Sequence, residues 1–577
     1  MEQHQQQKHQ QQQQLHAPAD DYPYRLGSHH RPIATASKDA QRWFDRGLIW
    51  CYGFNHEEAV RCFEKALEAD AAMAMSHWGL AYALGPNYNK PWDLFGRRER
   101  QATARRTHQA VDMARQCASS PLEVALADAL AHRYPCREPP VDKDDVCARG
   151  RAYADAMLAV ARRFPDDLDV AALSADALMN LTPWKLWDIC TGRPAPGART
   201  LEAKQLLEEA LARPGGNTHA GLLHFYIHLM EMSQTPEAAL PAADALGGLV
   251  PDAGHLQHMP SHIYILVGAY AKAIAANTAA IAADDKFAAR HGAVNFYTLY
   301  RSHDVHFRMY AAMLAGQARI ALESADLLEA TITDDLLRIQ CPPMALWLEA
   351  FVGMRLHVLI RFGHWHQILA LPLPADTHLY CVSTALTLYA RGVAQAALGR
   401  VHEAHATRRA FAHAVLRVSP HRTLFNNRCL DILAIAAAML DGELEYRRAN
   451  FDLAFAHLRQ AIALSDALPF DEPWGWMQPV RHAYGALLLE QGRVEQALAV
   501  YRADLGLDDS LPRVHRHVDN VWSLHGYHEC LVRLHRHDEA RAIELRLRAA
   551  QAVADVPITS SCHCRRTKAT DHGGEKL

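Results

Sequence analysis

The sequence predicts an all-α protein, a helical solenoid of stacked hairpins, and three observations predict it. Half of the 577 residues are apolar, helix formers dominate, and alternating strand-like runs are hard to find. A short pattern of turn, acidic start and amphipathic helix recurs along the chain. Each copy follows another helical stretch, so the helices come in pairs that cannot bury their apolar faces alone and must stack.

Residues 1–21 are "MEQHQQQKHQQQQQLHAPADD", a Gln/His low-complexity run whose composition predicts a disordered arm. The first clear copy of the pattern is "GFNHEEAVRCFEKALEAD" (Gly53 to Asp70), with a turn, Glu-Glu-Ala, an apolar helical face and an acidic stop. "GAYAKAIAANTAAIAAD" (Gly268 to Asp284), "GQARIALESADLLEA" (Gly316 to Ala330) and "GRVHEAHATRRAFAHAV" (Gly399 to Val415) have the same shape. So do "GRVEQALAVYRADL" (Gly492 to Leu505) and "RHDEARAIELRLRAA" (Arg536 to Ala550). This is the second half of a tetratricopeptide (TPR) unit: a Gly turn, an Ala packed between helices and an amphipathic second helix. Gln234 to Gly268 is 34 residues, the TPR period, while Gly316 to Gly363 is 47 and implies an insertion. The reading is therefore a TPR-like α-solenoid over residues 38–556, followed by a disordered polar tail, 557–577.

The formal charge is −4, with acids and bases mixed, which argues against nucleic acid or a membrane surface as partner. The 12 cysteines lack framework spacing, no signal peptide is recognisable and no apolar run is long enough to span a membrane. A reduced, cytoplasmic location is expected. Cys562-His563-Cys564 lacks the second half that would make it a metal site.

The unusual number is 36 histidines. Counting back from each turn residue into the preceding helix gives their register. From Gly268, His262 lies at −6, His258 at −10 and His255 at −13; from Gly316, Tyr310 lies at −6, His306 at −10 and His303 at −13. From Gln234, Glu231 lies at −3, His228 at −6 and His224 at −10. Offsets of 3, 4 and 7 share one helix face. Three neighbouring repeats thus present imidazoles at matching depth, and adjacent helices lie ~8–10 Å apart, close enough for facing rings to share an ion. His357, at −6 from Gly363, could extend the cluster or be an ordinary groove histidine. Pro260 interrupts the helix and re-aims the histidines before it.

The stretches "LIWCYGFNHEEAVRCFEKALEAD", "MAMSHWGLAYALGPNYNKPW", "HFYIHLMEMS", "AGHLQHMPSHIYILVGAY" and "YRSHDVHF" resemble a group of TPR-containing proteins, mostly bacterial and fungal. The resemblance runs from about Phe44 to Arg546. It implies that His224, His228, Glu231, His255, His258, His262, His303 and His306 belong to recurring His-rich motifs. Relatives tend to carry Asn at the position of Asp304. The resemblance implies no particular reaction.

Neutral nitrogens with one carboxylate and no thiolate suit Cu, Fe, Zn or Ni and disfavour Mg and Ca. His224/His228, His258/His262 and His303/His306 would supply two ions with three nitrogens each; three histidines with Glu231 would equally make a mononuclear site with an open position. A redox metal, Cu or Fe, would activate O2 to oxidise a small organic substrate; Zn would generate hydroxide for hydrolysis. Glu231 and Tyr310 are the catalytic candidates, with Tyr300 nearby. "NYNKPW" (Asn87 to Trp92) and "MNLTPWKLWD" (Met179 to Asp188) are loops that could roof the groove or simply pack. No H-E-x-x-H, phosphate loop, G-x-S-x-G or nucleotide fingerprint is present. Two other readings use the same residues: a scaffold binding a partner protein or peptide in its groove, and a metal store or sensor without turnover.

Overall fold

The computed structural model describes residues 22–565. Helix follows helix from Lys38 to Val553, paired into hairpins that stack along the chain. Among the described residues the only strands are a small antiparallel pair, Thr423–Leu424 with Asn427–Arg428. Among the described residues no helix is long and apolar enough to cross a membrane.

The hairpin signature is carried by turn and alanine together. Gly268, Gly316, Gly363, Gly399 and Gly492 all have φ between 69° and 83°, the left-handed region that glycine enters without a Cβ penalty. After Gly363 the fourth residue of the following helix is the buried Ile368; after Gly268, Gly316, Gly399 and Gly492 it is a close-packed alanine, Ala273, Ala321, Ala404 and Ala497, all without exposed surface, as is Ala59 in the same place after Phe54. A larger side chain there would push the two helices of the hairpin apart.

The solenoid curves back on itself. The Tyr270 hydroxyl donates to the Val518 carbonyl at 2.6 Å, Arg513 to Leu266 O at 2.9 Å, and the Trp522 indole to Met313 O at 2.7 Å. A non-helical strap before Lys38 crosses the other side, with Arg25 N donating to Asp252 at 2.6 Å and Arg31 paired to Asp169 at 2.9 Å. The concave face therefore closes into an interior.

The tail from Pro557 is loose on composition, yet residues 557–565 pack against the last hairpins. Ser560, Ser561, Cys562 and Cys564 are buried, and Cys562 and Cys564 are disulfide-bonded. Arg361 donates to Ser561 O at 2.5 Å, and Arg565 pairs with Glu529 at 2.7 Å. Composition does not register acceptors brought in from distant repeats. The Gln/His arm, 1–21, and residues 566–577 lie outside the described residues.

Candidate metal centre

Six of the histidines meet in the interior as two triads, His224/His228/His255 and His258/His262/His303. Within each, one ring nitrogen per residue lies within 4.8 Å of the other two. All six rings are buried. The triads abut: the ring centroids of His255 and His258 are 5.8 Å apart, and those of His228 and His262 5.7 Å.

Helix Ala220–Glu231 carries His224 and His228, one turn apart on its inner face. The motif around Pro260 folds as two short helices, Gly254–His258 and Pro260–Leu266, with Met259 between them. Proline supplies no N–H, so the helix restarts there. That break corrects the expectation that His255, His258 and His262 share one destination. His255 joins the first triad, while His258 and His262 join the second. Gly254 opens the motif because nothing larger fits: a Cβ would lie 1.8 Å from Asp284 Oδ1.

The hydrogen bonds of the outer ring nitrogens fix the tautomers. His224 Nδ1 lies 2.6 Å from Tyr52 O, and a carbonyl can only accept, so this nitrogen carries the hydrogen. His258 Nδ1 lies 2.7 Å from Asn277 Oδ1, and Asn277 is oriented by its own donation to Ala273 O at 2.8 Å. Glu231 accepts from His228 Nδ1 at 2.9 Å and from His262 Nδ1 at 2.5 Å. With the outer nitrogen engaged in this way, Nε2 is the bare lone pair of each ring that is neutral. Yet His258 Nε2 and His262 Nε2 lie 2.7 Å apart, with His303 Nε2 3.0 Å from the former. Two lone pairs aimed at each other in a dry interior need a cation or an added proton between them. His224 Nε2 and His255 Nε2 lie 3.1 Å apart, and His228 Nε2 and His255 Nδ1 have no partner. A tetrahedral ion with bonds of ~2.0–2.1 Å would set its nitrogens ~3.3 Å apart, so the 2.7 Å pair would have to open on binding.

Charge agrees with ligation. Burial, reinforced by neighbouring rings, holds His224, His255, His258 and His303 well below the ordinary histidine range, which keeps them neutral. Burial alone would push Glu231 up, but His262 and His228 draw it down to about 2, so it is a carboxylate. Glu231 is thus not placed as a ligand or as a group facing substrate. It spans the triads and aligns one ring in each, the usual carboxylate–histidine arrangement of metal sites.

Other candidates fall elsewhere. His306 packs edge-on to Phe351 at 5.3 Å, and His357 edge-on to Trp476 at 4.8 Å; both rings are buried with no hydrogen-bond partner. Neither joins a triad. Tyr310 bonds His517 Nε2 at 3.1 Å, in a buried chain that continues through Asp504 to His482. The wheel placed His303, His306 and Tyr310 together, but His303 meets His258 at 4.5 Å between ring centroids while His306 faces Phe351. Asp304 lies 3.2 Å from His258 Nδ1; burial and the neighbouring Asp284 hold its carboxyl well above the usual range. A third cluster, His29/Asp169/His219, escaped the sequence reading; Tyr52 and Arg31 also bond Asp169, so it is a satisfied structural knot behind the first triad.

A cavity of about 240 Å³ opens onto the rings, with His228, His255, His262 and His303 in its wall. Both aromatic loops reach it, through Asn89 and Pro91 and through Pro183 and Trp184. Tyr300 stands over His255 with centroids 4.9 Å apart. The backbone adds a signal that no motif carries. Of the six non-glycine residues with positive φ among the described residues, three are aromatics packed on the triads: Phe54 (54°), Trp184 (59°) and Phe425 (47°). Phe54 sits where the Gly268 repeat has its turn glycine, and covers His224 at 4.6 Å and His255 at 5.4 Å. Such strain costs ~1–3 kcal/mol per residue and persists where surrounding structure demands it.

No family model matches the chain, and no curated protein matches it. Solved structures of similar helical reach include yeast Tom70, at 10% identity over 90% of this chain and 93% of that one, with a TM-score of 0.28. The APC/C hetero-tetramer Cut9-Hcn1 is 12% identical over 91% and 96%, TM-score 0.23, and Naa15/Naa10 bound to HypK-THB 11% over 89% and 70%, TM-score 0.20. At these scores none of their residues can be set against the histidines.

Proposed function

We propose that the chain is a metal-dependent oxidoreductase that holds one transition-metal ion in each histidine triad and oxidises a small organic substrate with O2. The observation that carries the reading is the 2.7 Å approach of His258 Nε2 and His262 Nε2 with both outer nitrogens already donating. Six imidazole nitrogens with the carboxylates kept outside favour copper over iron, and zinc with hydrolysis is the less favoured variant. A bound redox pair would supply the electron transfer that couples removal of two electrons and two protons from the substrate to reduction of O2 to H2O2. The chain does the rest. Glu231, Asn277 and the Tyr52 carbonyl hold the rings at fixed tautomers, and Phe54 screens them from water. We also assign the chain to the bacterial and fungal group its motifs resemble, and to the cytoplasm on its ten free cysteines.

Elemental analysis of tag-free protein lacking the Gln/His arm is the test. Two ions per chain, both lost or weakened in His258→Ala/His262→Ala, with O2 uptake on candidate substrates, are expected. Metal-free protein with intact fold would reject the reading. A second reading is a scaffold docking a protein or peptide partner, which the exposed outer faces of a hairpin array favour. A tight partner with no bound metal would select it; metal without O2 uptake would select storage or sensing.

A further inference from the structure

The cavity beside the triads has a composition of its own, and resting on the metal reading above we infer its occupant: a single aromatic ring bearing a hydroxyl or amino donor. Its walls come from separate segments. Trp184 stands edge-on to His228 at 5.7 Å, and its indole donates to Asn89 Oδ1 at 3.0 Å. Phe425 stands edge-on to His303 at 4.7 Å, from the tip of the small β-hairpin. Trp347 packs behind, on Phe296, at 5.4 Å. One strained aromatic thus flanks each triad at the cavity. Both carry positive φ; the two-residue hairpin turn requires it of Phe425, whereas Trp184 lies in no hairpin. Flat apolar faces at this spacing select flat apolar rings by offset or edge contacts.

Size and polarity narrow the class. About 150 Å³ suffices for benzene, so 240 Å³ leaves room for a ring with a substituent or two. The polar wall includes Asp471, whose Oδ2 accepts from Asn426 N at 3.1 Å and Asn427 Nδ2 at 3.0 Å. Held in this way, and with burial holding the carboxyl well above its usual range, the other oxygen is the group left to meet a hydroxyl or amino substituent on the ring. No lysine or arginine lines the cavity, so an anionic carboxylate or phosphate would find no side-chain cation there.

The test uses full-length, metal-loaded protein and three probes of similar size: phenol, anisole and cyclohexanol. Binding is read by saturation-transfer NMR and titration, with metal content measured on the same samples. Phenol is expected to bind at least tenfold more tightly than cyclohexanol, for want of a ring, and than anisole, for want of an O–H donor. Trp184→Gly and Phe425→Gly, which relax the strained backbone and preserve the fold, should each weaken phenol about tenfold with ion content unchanged. Asp471→Ala should abolish the preference for phenol over anisole. Equal binding of phenol and cyclohexanol, or wild-type phenol binding in both glycine variants, overturns the inference. Ions present without aromatic preference would reject this inference and leave the metal reading standing; aromatic preference without ions would do the reverse.

Discussion

Replacing Glu231 by glutamine should separate the two triads. The carboxylate accepts from His228 Nδ1 and His262 Nδ1 at once. An amide of the same size has one acceptor and one donor group. One ring must then give up its Nδ1 hydrogen, move it to Nε2, and lose the lone pair its triad uses. Losing an outer partner of this kind typically costs 10–100-fold in metal affinity, or about 1.4–2.7 kcal/mol. The expected outcome is asymmetric: one ion held near wild-type strength, the other weakened about 10–100-fold. Competition against chelators of graded strength, followed by elemental analysis, reads both constants. Circular dichroism and a thermal melt of the metal-free variant verify that the fold survives. Two ions at wild-type affinity would refute the assignment of Glu231, and so would two ions weakened equally.

Other outcomes follow from single observations. Gly254→Ala puts a Cβ 1.8 Å from the Asp284 carboxylate and 3.1 Å from Ala280 O; overpacking of this kind costs ~1–3 kcal/mol, so lower metal affinity and an earlier urea midpoint are expected, and an unchanged midpoint would contradict the packing. Phe54→Ala should cost ~3–5 kcal/mol as a buried aromatic truncation, and Phe54→Gly about 1 kcal/mol less, because glycine relieves the 54° φ; a glycine variant weaker than alanine would show the strain argument to be wrong. Burial lowers His306 to about 3, with His357 beside it, and lowers His357 to about 4. Unfolded, both titrate near 6.5, so below that pH the unfolded chain binds more protons and stability falls as pH drops through the window from about 6.5 towards 4. With the slope rising to ~1.4 kcal/mol per pH unit per ring as the unfolded rings fill, these two rings remove about 3 kcal/mol between pH 6.5 and 5. That is the expected difference in pH dependence between metal-free wild type and His306→Phe/His357→Phe, read as urea midpoints, the other buried histidines keeping their share in both.

The hairpins were legible because each rests on local chemistry: a turn glycine at positive φ, then an alanine at a fixed place in the next helix. The histidine register was legible in depth but not in direction. Counting residues put His224, His228, His255, His258, His262 and His303 at one level of the array. It did not divide them, because the division depends on the break at Met259–Pro260 and on which helix lies opposite. It included His306 because counting gives a helix face and not the neighbour each ring meets, which for His306 is Phe351. Asn277, the Tyr52 carbonyl and Phe54 lie in other repeats and no spacing rule reaches them. Phe54 left one readable trace, an apolar aromatic after the glycine at a turn, where Gly268, Gly316, Gly399 and Gly492 are followed by Ala, Gln, Arg and Arg.

Where the imidazoles lie also weighs on what the solenoid can bind. A TPR-like array reading a peptide needs an open trough on its inner face. Here the contacts from Tyr270, Arg513 and Trp522 tie the middle repeats to the last ones and shut that trough. The remaining space at the triads is about 240 Å³, below the ~300–1,000 Å³ usual for drug-sized ligands and far too small for an extended peptide. A partner protein would therefore have to use the outer faces of the hairpins, which carry none of the six histidines. The strained aromatics, the fixed tautomers and the opposed lone pairs all converge on the small interior space instead. A partner bound outside and a substrate held inside are separable in one experiment: Phe425→Gly should weaken phenol and leave any protein partner's affinity unchanged.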